Sequence, residues 1–427
     1  MRRPRCDHCR GESRRHTLPK EHNDAKIAAM LDIPTTKRVA LEPQTGEALR
    51  TACSYASDPT HAAMELAASL RHAHLSAVLF FCSTEYPLEA LGEALQNVFS
   101  DVPVSGCTTA GEITPHGYSR GGIVAIGFDR RHCAVSQALI DDLEHFDLIR
   151  AQRLTDTLLN DCRQQAVAPT GGHSFALTLL DGLSSNEEQV LATLDAALGS
   201  IPSFGGSAGD DNRLAHTHVF HRGRFHDQAA VVVMINTALP FEVFSTHHLR
   251  PRHEKLVVTR ADCSQRTVCE LNAAPAAEEY ARLVGCDIRD LGESVFARHP
   301  LAVRIGDAYY VRSIQRVNPD DSLTFFCAVE NGIVLTAMQP APLLDDLNAV
   351  FDGLTERLGP PTLIIGCDCF LRRLEIEALD ELAEASQLLS RQKVVGFNTY
   401  GEQHHGMHIN QTFTGVAIGH PRSPGGV

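Results

Sequence analysis

Residues 395–402 (VGFNTYGE) contain a glycine turn whose pattern the chain carries three times. The two earlier copies lie at residues 104–112 (VSGCTTAGE) and 204–210 (FGGSAGD). All three share a core of Thr or Ser, then Ala or Tyr, then Gly, then Glu or Asp. A motif that recurs in this way predicts that the chain is built from a repeated structural unit.

Each glycine turn ends a unit of the same kind, which begins with an apolar run of strand length and continues through a helical stretch. Because the runs have no polar alternation, both faces of each strand should be covered. The sequence therefore predicts a mixed α/β (α+β) fold, in which repeated strand-helix-turn units form layered sheets with helices packed outside. The apolar runs are residues 77–82, 175–180 and 363–366, the helical stretches 87–95, 187–198 and 374–389, and the strands after the turns 123–126, 230–234 and 413–418.

The glycine turns allow two interpretations. Glycine tolerates positive φ and close backbone approach, so the turns can serve chain geometry alone. Alternatively, the three turns converge and present backbone N–H groups to a ligand. Glu112, Asp210 and Glu402 recur at matched positions. They could form a paired-carboxylate site, but the same backbone context at each copy favours hydrogen bonds within their own turns.

The second helical stretch has a start signal of its own. Ser185 and Glu188 have the spacing of a capping box, which predicts a helix over residues 187–198.

Composition limits the classes of function. The 427-residue chain is 43% hydrophobic and has a formal net charge of −14, so a basic face for nucleic acid is not expected. No apolar run approaches the length that crosses a bilayer and no signal peptide is visible, which indicates a cytoplasmic protein without membrane insertion. The 13 cysteines are interpreted as reduced thiols.

The first 36 residues differ in character from the rest. They are basic and have no periodic apolar face, which indicates a disordered leader. Cys6 and Cys9 form a C-x-x-C pair that could hold zinc together with His16 or His22. The pair is not repeated at a second regular spacing, so the leader interpretation is favoured over the metal site.

The three glycine turns, together with residues 410–415 (NQTFTG), resemble the signature blocks of the FIST family. The resemblance runs from about residue 53 to 419 and implies a FIST N-terminal domain at 37–268 and a FIST C-terminal domain at 269–427. It also implies a small-molecule sensory function. One branch of the family, the nitric-oxide-sensing NosP proteins, binds haem.

The connection at residues 244–253 (FSTHHLRPRH) is the stretch where we expect a binding site. FIST domains at large carry a glycine here, and the histidine pair resembles the haem-binding branch. A haem needs a neutral imidazole as axial ligand and cations for its propionates. His247 and His248 are the candidate axial ligands and Arg250 and Arg252 the candidate propionate partners. Adjacent residues of an extended chain face opposite ways, so only one histidine should ligate.

Other histidines are weaker candidates. His216 and His218 lie two residues apart, on one face of a strand, but next to a hairpin tip at Gly223 where imidazoles are usually solvated. His404, His405 and His408 follow the third glycine turn and could form a second axial set, although side chains in that position are more often solvated.

Catalysis is not expected, because no serine elbow, H-E-x-x-H motif or nucleophile with an identifiable base is present. The favoured function is a cytoplasmic sensor that binds b-type haem and nitric oxide. As the resemblance implies, it would regulate a histidine kinase of a two-component system or a cyclic-di-GMP enzyme. The alternatives are a haem-free sensor of a metabolite such as an amino acid, its carboxylate held by the turn amides, and a protein-interaction scaffold. A homo-oligomer is left open.

Overall fold

The computed structural model describes residues 48–211 and 213–421, which belong to one compact unit. The leader with Cys6 and Cys9 lies outside the described residues. The first repeat consists of β1 Leu49–Ser54, α1 Pro59–Leu70, β2 Leu75–Cys82, α2 Leu88–Val98, β3 Val104–Thr108, β4 Glu112–Thr114, β5 Gly117–Ser119 and β6 Ile123–Asp129.

The second repeat has the same order of elements as the first. It consists of β7 Cys133–Ile140, α3 Leu148–Gln165, β8 Ser174–Leu180, α4 Glu187–Leu198, β9 Ser203–Ser207, β10 Val219–His221, β11 Arg224–His226 and β12 Ala230–Thr237.

The third repeat opens with β13 Phe241–Thr246 and is then interrupted by an inserted sheet. The insertion consists of β14 Leu249–Asp262, β15 Thr267–Leu271, β16 Ala274–Pro275, α5 Ala276–Val284, a 3₁₀ turn Ile288–Asp290, α6 Glu293–Arg298, β17 Leu301–Ile305, β18 Ala308–Arg312, β19 Ile314–Val317, β20 Leu323–Phe325 and β21 Val334–Pro340. The repeat resumes with α7 Leu343–Leu358, β22 Leu363–Cys369, α8 Phe370–Ala378, α9 Leu382–Arg391, β23 Val394–Thr399, β24 Glu402–His404, β25 Met407–Ile409 and β26 Phe413–Ile418.

The three repeats build three sheets of one topology. In each, the first predicted apolar strand pairs in parallel with a strand formed by the start of the glycine-turn stretch, as β2 with β3, β8 with β9 and β22 with β23. The closing strand of the repeat and then its opening strand add on in antiparallel fashion, giving the orders β1-β6-β2-β3, β7-β12-β8-β9 and β13-β26-β22-β23. The predicted mixed α/β class with repeated units is therefore confirmed.

Each sheet is completed by a hairpin from another repeat. The hairpin β10–β11 of the second repeat pairs with β3 of the first, and β24–β25 of the third pairs with β9 of the second. The hairpin β4–β5 of the first repeat pairs with β23 of the third. The exchange is cyclic, so each repeat closes the sheet of another and the three sheets are interlocked.

The inner faces of the three sheets form a shared apolar core. Phe81 of the first sheet stacks on Phe397 of the third, with ring centroids 4.5 Å apart, and Leu177 of the second belongs to the same buried cluster. The outer faces are covered by helices, with separate apolar clusters under α1 and α2, under α3 and α4, and under α7 and α9. Covered faces on both sides explain why the strands have no polar alternation.

The inserted strands form an antiparallel sheet of order β18-β17-β21-β14-β15-β20-β19, with β16 paired to β15. The dipeptide Asn331-Gly332 is typical of a β-hairpin turn, but the strands on either side of it do not pair with each other. Gly332 does turn, at φ +83°, but β20 before it pairs with β15 and β21 after it pairs with β14.

Within the described ranges, no helix is long and apolar enough to cross a membrane. The cysteines of residues 48–211 and 213–421 are free thiols.

Candidate functional site

The three glycine turns converge, but they bond to one another. Ala110 N donates to the Asn398 carbonyl at 2.9 Å, Gly209 N to the Thr108 carbonyl at 3.0 Å, and Ser207 N to the Gly401 carbonyl at 2.8 Å. Each of these bonds joins a different pair of turns. The amides named here have partners within the protein, so the alternative that the turns hold a ligand through them is not supported, and the chain-geometry interpretation fits the structure.

The carboxyl groups of Glu112 and Glu402 form hydrogen bonds within or next to their own turns, as the sequence predicted. Glu112 accepts from Thr109 Oγ1 at 2.7 Å, and Glu402 accepts from Thr399 Oγ1 and from Thr412 Oγ1 at 3.0 Å. Both side chains are fully buried. Burial disfavours the ionised form more than these hydrogen bonds favour it, and it raises the pKa of each carboxyl to about 8. They form no paired-carboxylate site.

Asp210, at the matched position of the second repeat, plays a different part. It accepts from the backbone N–H of Leu214, Ala215 and His216 and from the hydroxyl of Tyr400. It therefore fixes the segment that follows its turn rather than the turn itself.

The predicted binding connection is only two residues long. β13 ends at Thr246 and β14 begins at Leu249, so only His247 and His248 lie between this strand of the third sheet and the inserted sheet. Arg250 and Arg252 lie on β14, next to a register irregularity in its pairing with β21. The expected loop over residues 244–253 is wrong in extent, because strand pairing with β21 starts directly after the histidines.

His248 is buried in a network of charged groups. Its Nε2 lies 2.9 and 3.0 Å from the two carboxylate oxygens of Glu375, and Nη1 of Arg372 lies 3.1 Å from its Nδ1. A guanidinium only donates, so Nδ1 is the acceptor and Nε2 carries the proton. Burial lowers the pKa of His248, in keeping with this neutral tautomer. Both ring nitrogens are therefore engaged, and neither offers a lone pair to a metal.

Arg372 extends this network into the third sheet. Its Nε donates to Asp368 at 2.7 Å, and Arg372 and Asp368 are almost completely buried, at 1% and 0% exposed. Nη2 of Arg372 has no hydrogen-bond partner among the described residues. The sequence does not identify Asp368 and Arg372 as part of a site. Asp368 lies at the end of β22 and Arg372 on α8, and nothing in the sequence joins them to His248, 120 or more positions earlier.

His247 differs from its neighbour. It is half-buried, its Nδ1 accepts from Leu249 N at 3.2 Å, and Nε2 has no hydrogen-bond partner among the described residues. Burial, and then the nearby His248 and Arg372, lower the pKa of His247, which keeps the imidazole neutral near pH 7.

The two arginines have carboxylate partners already. Nη2 of Arg250 donates to both carboxylate oxygens of Asp346, at 2.7 and 2.8 Å, and Arg252 pairs with Glu254 at 2.5 Å. The structure thus brings Arg250 near His247 but leaves Arg252 bonded along its own strand.

The histidines after the third glycine turn do not share one environment. His405 is exposed, His404 is half-buried and His408 is buried. The expectation of solvated side chains at this position is therefore wrong for His408, whose hairpin is covered by the second repeat and the insertion. His216 is exposed and His218 half-buried.

Two family models match the chain, the FIST N domain over residues 76–274 and the FIST C domain over residues 276–405. The chain belongs to the FIST family. The FIST N match begins in β2 of the first repeat and runs through the second repeat, β13 and the start of the insertion. The FIST C match spans the rest of the insertion and most of the remaining third repeat. FIST domains are signalling sensor domains, and the FIST protein described here accords with a sensory role.

Other comparisons add little. No curated protein matches the chain. A solved structure, T. maritima PurL complexed with FGAR, is 10% identical over 87% of this chain and 72% of that chain, with a TM-score of 0.19, and so low a score supports no argument about fold or function.

Proposed function

We propose that this FIST protein is a cytoplasmic sensory protein that binds haem through Nε2 of His247 and reports nitric oxide to a partner signalling enzyme. The supporting observation is that the two adjacent histidines differ in the hydrogen bonds of their ring nitrogens. His248 has both ring nitrogens bonded to charged groups, whereas His247 is neutral near pH 7 and its Nε2 has no hydrogen-bond partner among the described residues. Because Nδ1 of His247 accepts from Leu249 N, Nε2 carries the ring proton, and binding iron would move that proton to Nδ1 at the cost of the Leu249 hydrogen bond. A neutral imidazole nitrogen is the group that an axial haem ligand requires.

The fit of the remaining residues to haem is partial. His247 fits as the single axial ligand and His248 does not. Arg250 is exposed and could exchange Asp346 for a propionate, because exposed ion pairs contribute at most about 1 kcal/mol. Arg252 could bind a propionate only if its ion pair with Glu254 were broken. When bound, haem would supply the iron that takes up nitric oxide, while the protein would supply the imidazole and the cations.

The partner in this proposal is a histidine kinase or a cyclic-di-GMP enzyme. A gas ligand could regulate such a partner only to the extent that it binds two arrangements of the sensor with different affinity. The crossover at His247 joins the third sheet to the inserted sheet, so a ligand held there would act at the junction of the two.

The test is an absorption spectrum of the haemin-reconstituted protein in the ferrous state, before and after nitric oxide. We expect a sharp Soret band that shifts with nitric oxide, is lost in His247→Ala and is restored by added imidazole. His405→Ala, which removes an exposed histidine, is the matched control and should leave the band unchanged. A broad band like that of free haemin, unaffected by His247→Ala, would refute haem binding at this position.

A second candidate function is a haem-free sensor of a small carboxylate metabolite such as an amino acid. The observation that favours it is the buried Nη2 of Arg372, which lacks a partner and which a carboxylate would complete. The test is a thermal-shift screen of amino acids with wild type and Arg372→Lys. A rise in melting temperature in the wild type alone would support it. No rise with any ligand, together with no Soret band, would favour a protein-interaction scaffold.

A further inference from the structure

A second group of ionisable side chains is buried where the insertion meets the body of the protein. Glu187 and Glu188 come from the first turn of α4, Arg266 and Cys327 from the insertion, and His408 from β25. We call these five residues the seam cluster. Cys327 and His408 are 0% and 3% exposed, and one ligand atom from each of Glu188, Cys327 and His408 lies within 4.8 Å of the other two.

His408 is not satisfied by ordinary hydrogen bonds. Its Nδ1 lies 3.3 Å from Glu188 Oε1 and 3.4 Å from Glu187 Oε2, whereas a charge-assisted N–H···O bond measures about 2.7–2.9 Å. A buried polar group without good partners is costly unless something completes it.

The same separations suit ligands that share one metal ion. In a tetrahedral zinc site with Zn–N and Zn–O bonds of about 2.0–2.2 Å, neighbouring nitrogen and oxygen ligands stand about 3.3–3.5 Å apart. Glu188 Oε1 and His408 Nδ1 are already at that spacing. Thiolate, imidazole and carboxylate together form a donor set that zinc takes in proteins.

Charge balance also permits the ion. With Zn²⁺ bound, the carboxylates of Glu187 and Glu188 and the Cys327 thiolate would carry three negative charges, which match the charges of the metal and of the Arg266 guanidinium that bonds both carboxylates. Zinc binding would release the proton of the Cys327 thiol.

Hydrogen bonds from neighbouring residues orient the side chains of the three candidate ligands. Arg266 Nη2 bonds Oε2 of Glu187 and Oε2 of Glu188, each at 2.9 Å, which turns Glu188 Oε1 toward His408. Ala328 N also donates to that oxygen, at 2.8 Å. The Cys327 thiol donates to Asn410 Oδ1 at 2.8 Å, a bond that metal binding would replace. A Cβ on Gly401 would stand 1.8 Å from His408 Nε2, so the glycine gives the ring its room.

We propose that Glu188, Cys327 and His408 form a zinc site that fastens helix α4 and the β24–β25 hairpin to the inserted sheet. Three protein ligands leave a fourth position, which Glu187 or water would fill.

The test is metal content of the full chain after incubation with zinc and desalting, measured by mass spectrometry, in a Cys6→Ser/Cys9→Ser background that removes the leader as a second zinc binder. We expect one equivalent of zinc, lost in Cys327→Ser and in His408→Gln. Cys107→Ser, which changes a buried cysteine of the core cluster, and His404→Gln on the same hairpin are the controls and should retain it.

Cobalt substitution provides a spectroscopic signal that reports metal ligation separately from folding. Bound Co²⁺ should show a thiolate-to-cobalt charge-transfer band that disappears in Cys327→Ser while circular dichroism is unchanged. Absence of zinc and cobalt binding in the folded background protein would overturn the proposal. So would a charge-transfer band that survives Cys327→Ser but is lost in Cys107→Ser.

Discussion

Glu402→Gln should make the protein less sensitive to pH. Glu402 is 0% exposed, and burial raises the pKa of its carboxyl to about 8, against the hydrogen bonds from Thr399 and Thr412, which lower it. In the unfolded chain the carboxyl ionises near its ordinary pKa of about 4.3. Between these two values the unfolded state releases a proton that the folded state keeps.

The sign and size follow from proton linkage. A raised carboxyl pKa contributes stability that is fully present below the unfolded pKa and is lost as pH rises toward the folded pKa. The unfolding free energy should fall by about 1.4 kcal/mol per pH unit for this one group. From about pH 5 to about pH 7 the loss is about 2.7 kcal/mol. Glutamine keeps the shape of the neutral acid and cannot ionise, so Glu402→Gln should remove this slope.

The assay is urea unfolding followed by circular dichroism at a series of pH values, comparing the slope of the unfolding free energy with pH between wild type and variant. Glu112→Gln, whose carboxyl pKa is raised by the same cause, should remove a similar slope, and the double variant should remove both. Glu93→Gln changes an exposed carboxyl on α2 and should leave the slope alone. A Glu402→Gln slope equal to wild type would refute the reasoning.

Three further changes test the packing. His248→Ala leaves Nη1 of the buried Arg372 without its acceptor and should lower the unfolding free energy by about 1–3 kcal/mol; a loss under about 1 kcal/mol in urea titration would contradict the network. Gly209→Ala places a Cβ 2.6 Å from Ala110 N and should cost about 1–3 kcal/mol, measured in the same titration, while an unchanged midpoint would show that the turns are not closely apposed. Phe397→Ala removes a ring from the shared core and should cost about 3–5 kcal/mol, with a melting temperature equal to wild type as the contrary result.

The sequence predicted the repeats because their signal is local. The run at residues 175–180 lies within β8, and α4 begins and ends where the helical pattern predicted. The exchange of hairpins could not be predicted in this way. β4 pairs with β23, more than 280 positions later, and its short sequence would suit the edge of its own sheet equally well.

The sites were harder to predict, since they depend on residues brought together from distant segments. Glu188 shows the difficulty. Its spacing from Ser185 indicated a capping box, but α4 has no side-chain cap and Asn186 is the cap residue. The carboxylate bonds Arg266 and Ala328 of the insertion instead. Likewise, His247 and His248 are indistinguishable in sequence, and only Glu375 and Arg372 make them chemically different.

The two proposed sites lie at one structural junction. The interlocked hairpins prevent any repeat from opening without breaking the sheet of another, which makes the three-sheet body a poor element for a switch. Among the described residues the insertion exchanges no strand with the repeats. The chain enters it at His247 and His248 and leaves it at residues 341–342, and Cys327 and Arg266 contact the body at the seam cluster. A ligand at either site would therefore act on how the insertion sits against the body, and its effect on a partner would be limited to the difference in its affinity for the two arrangements.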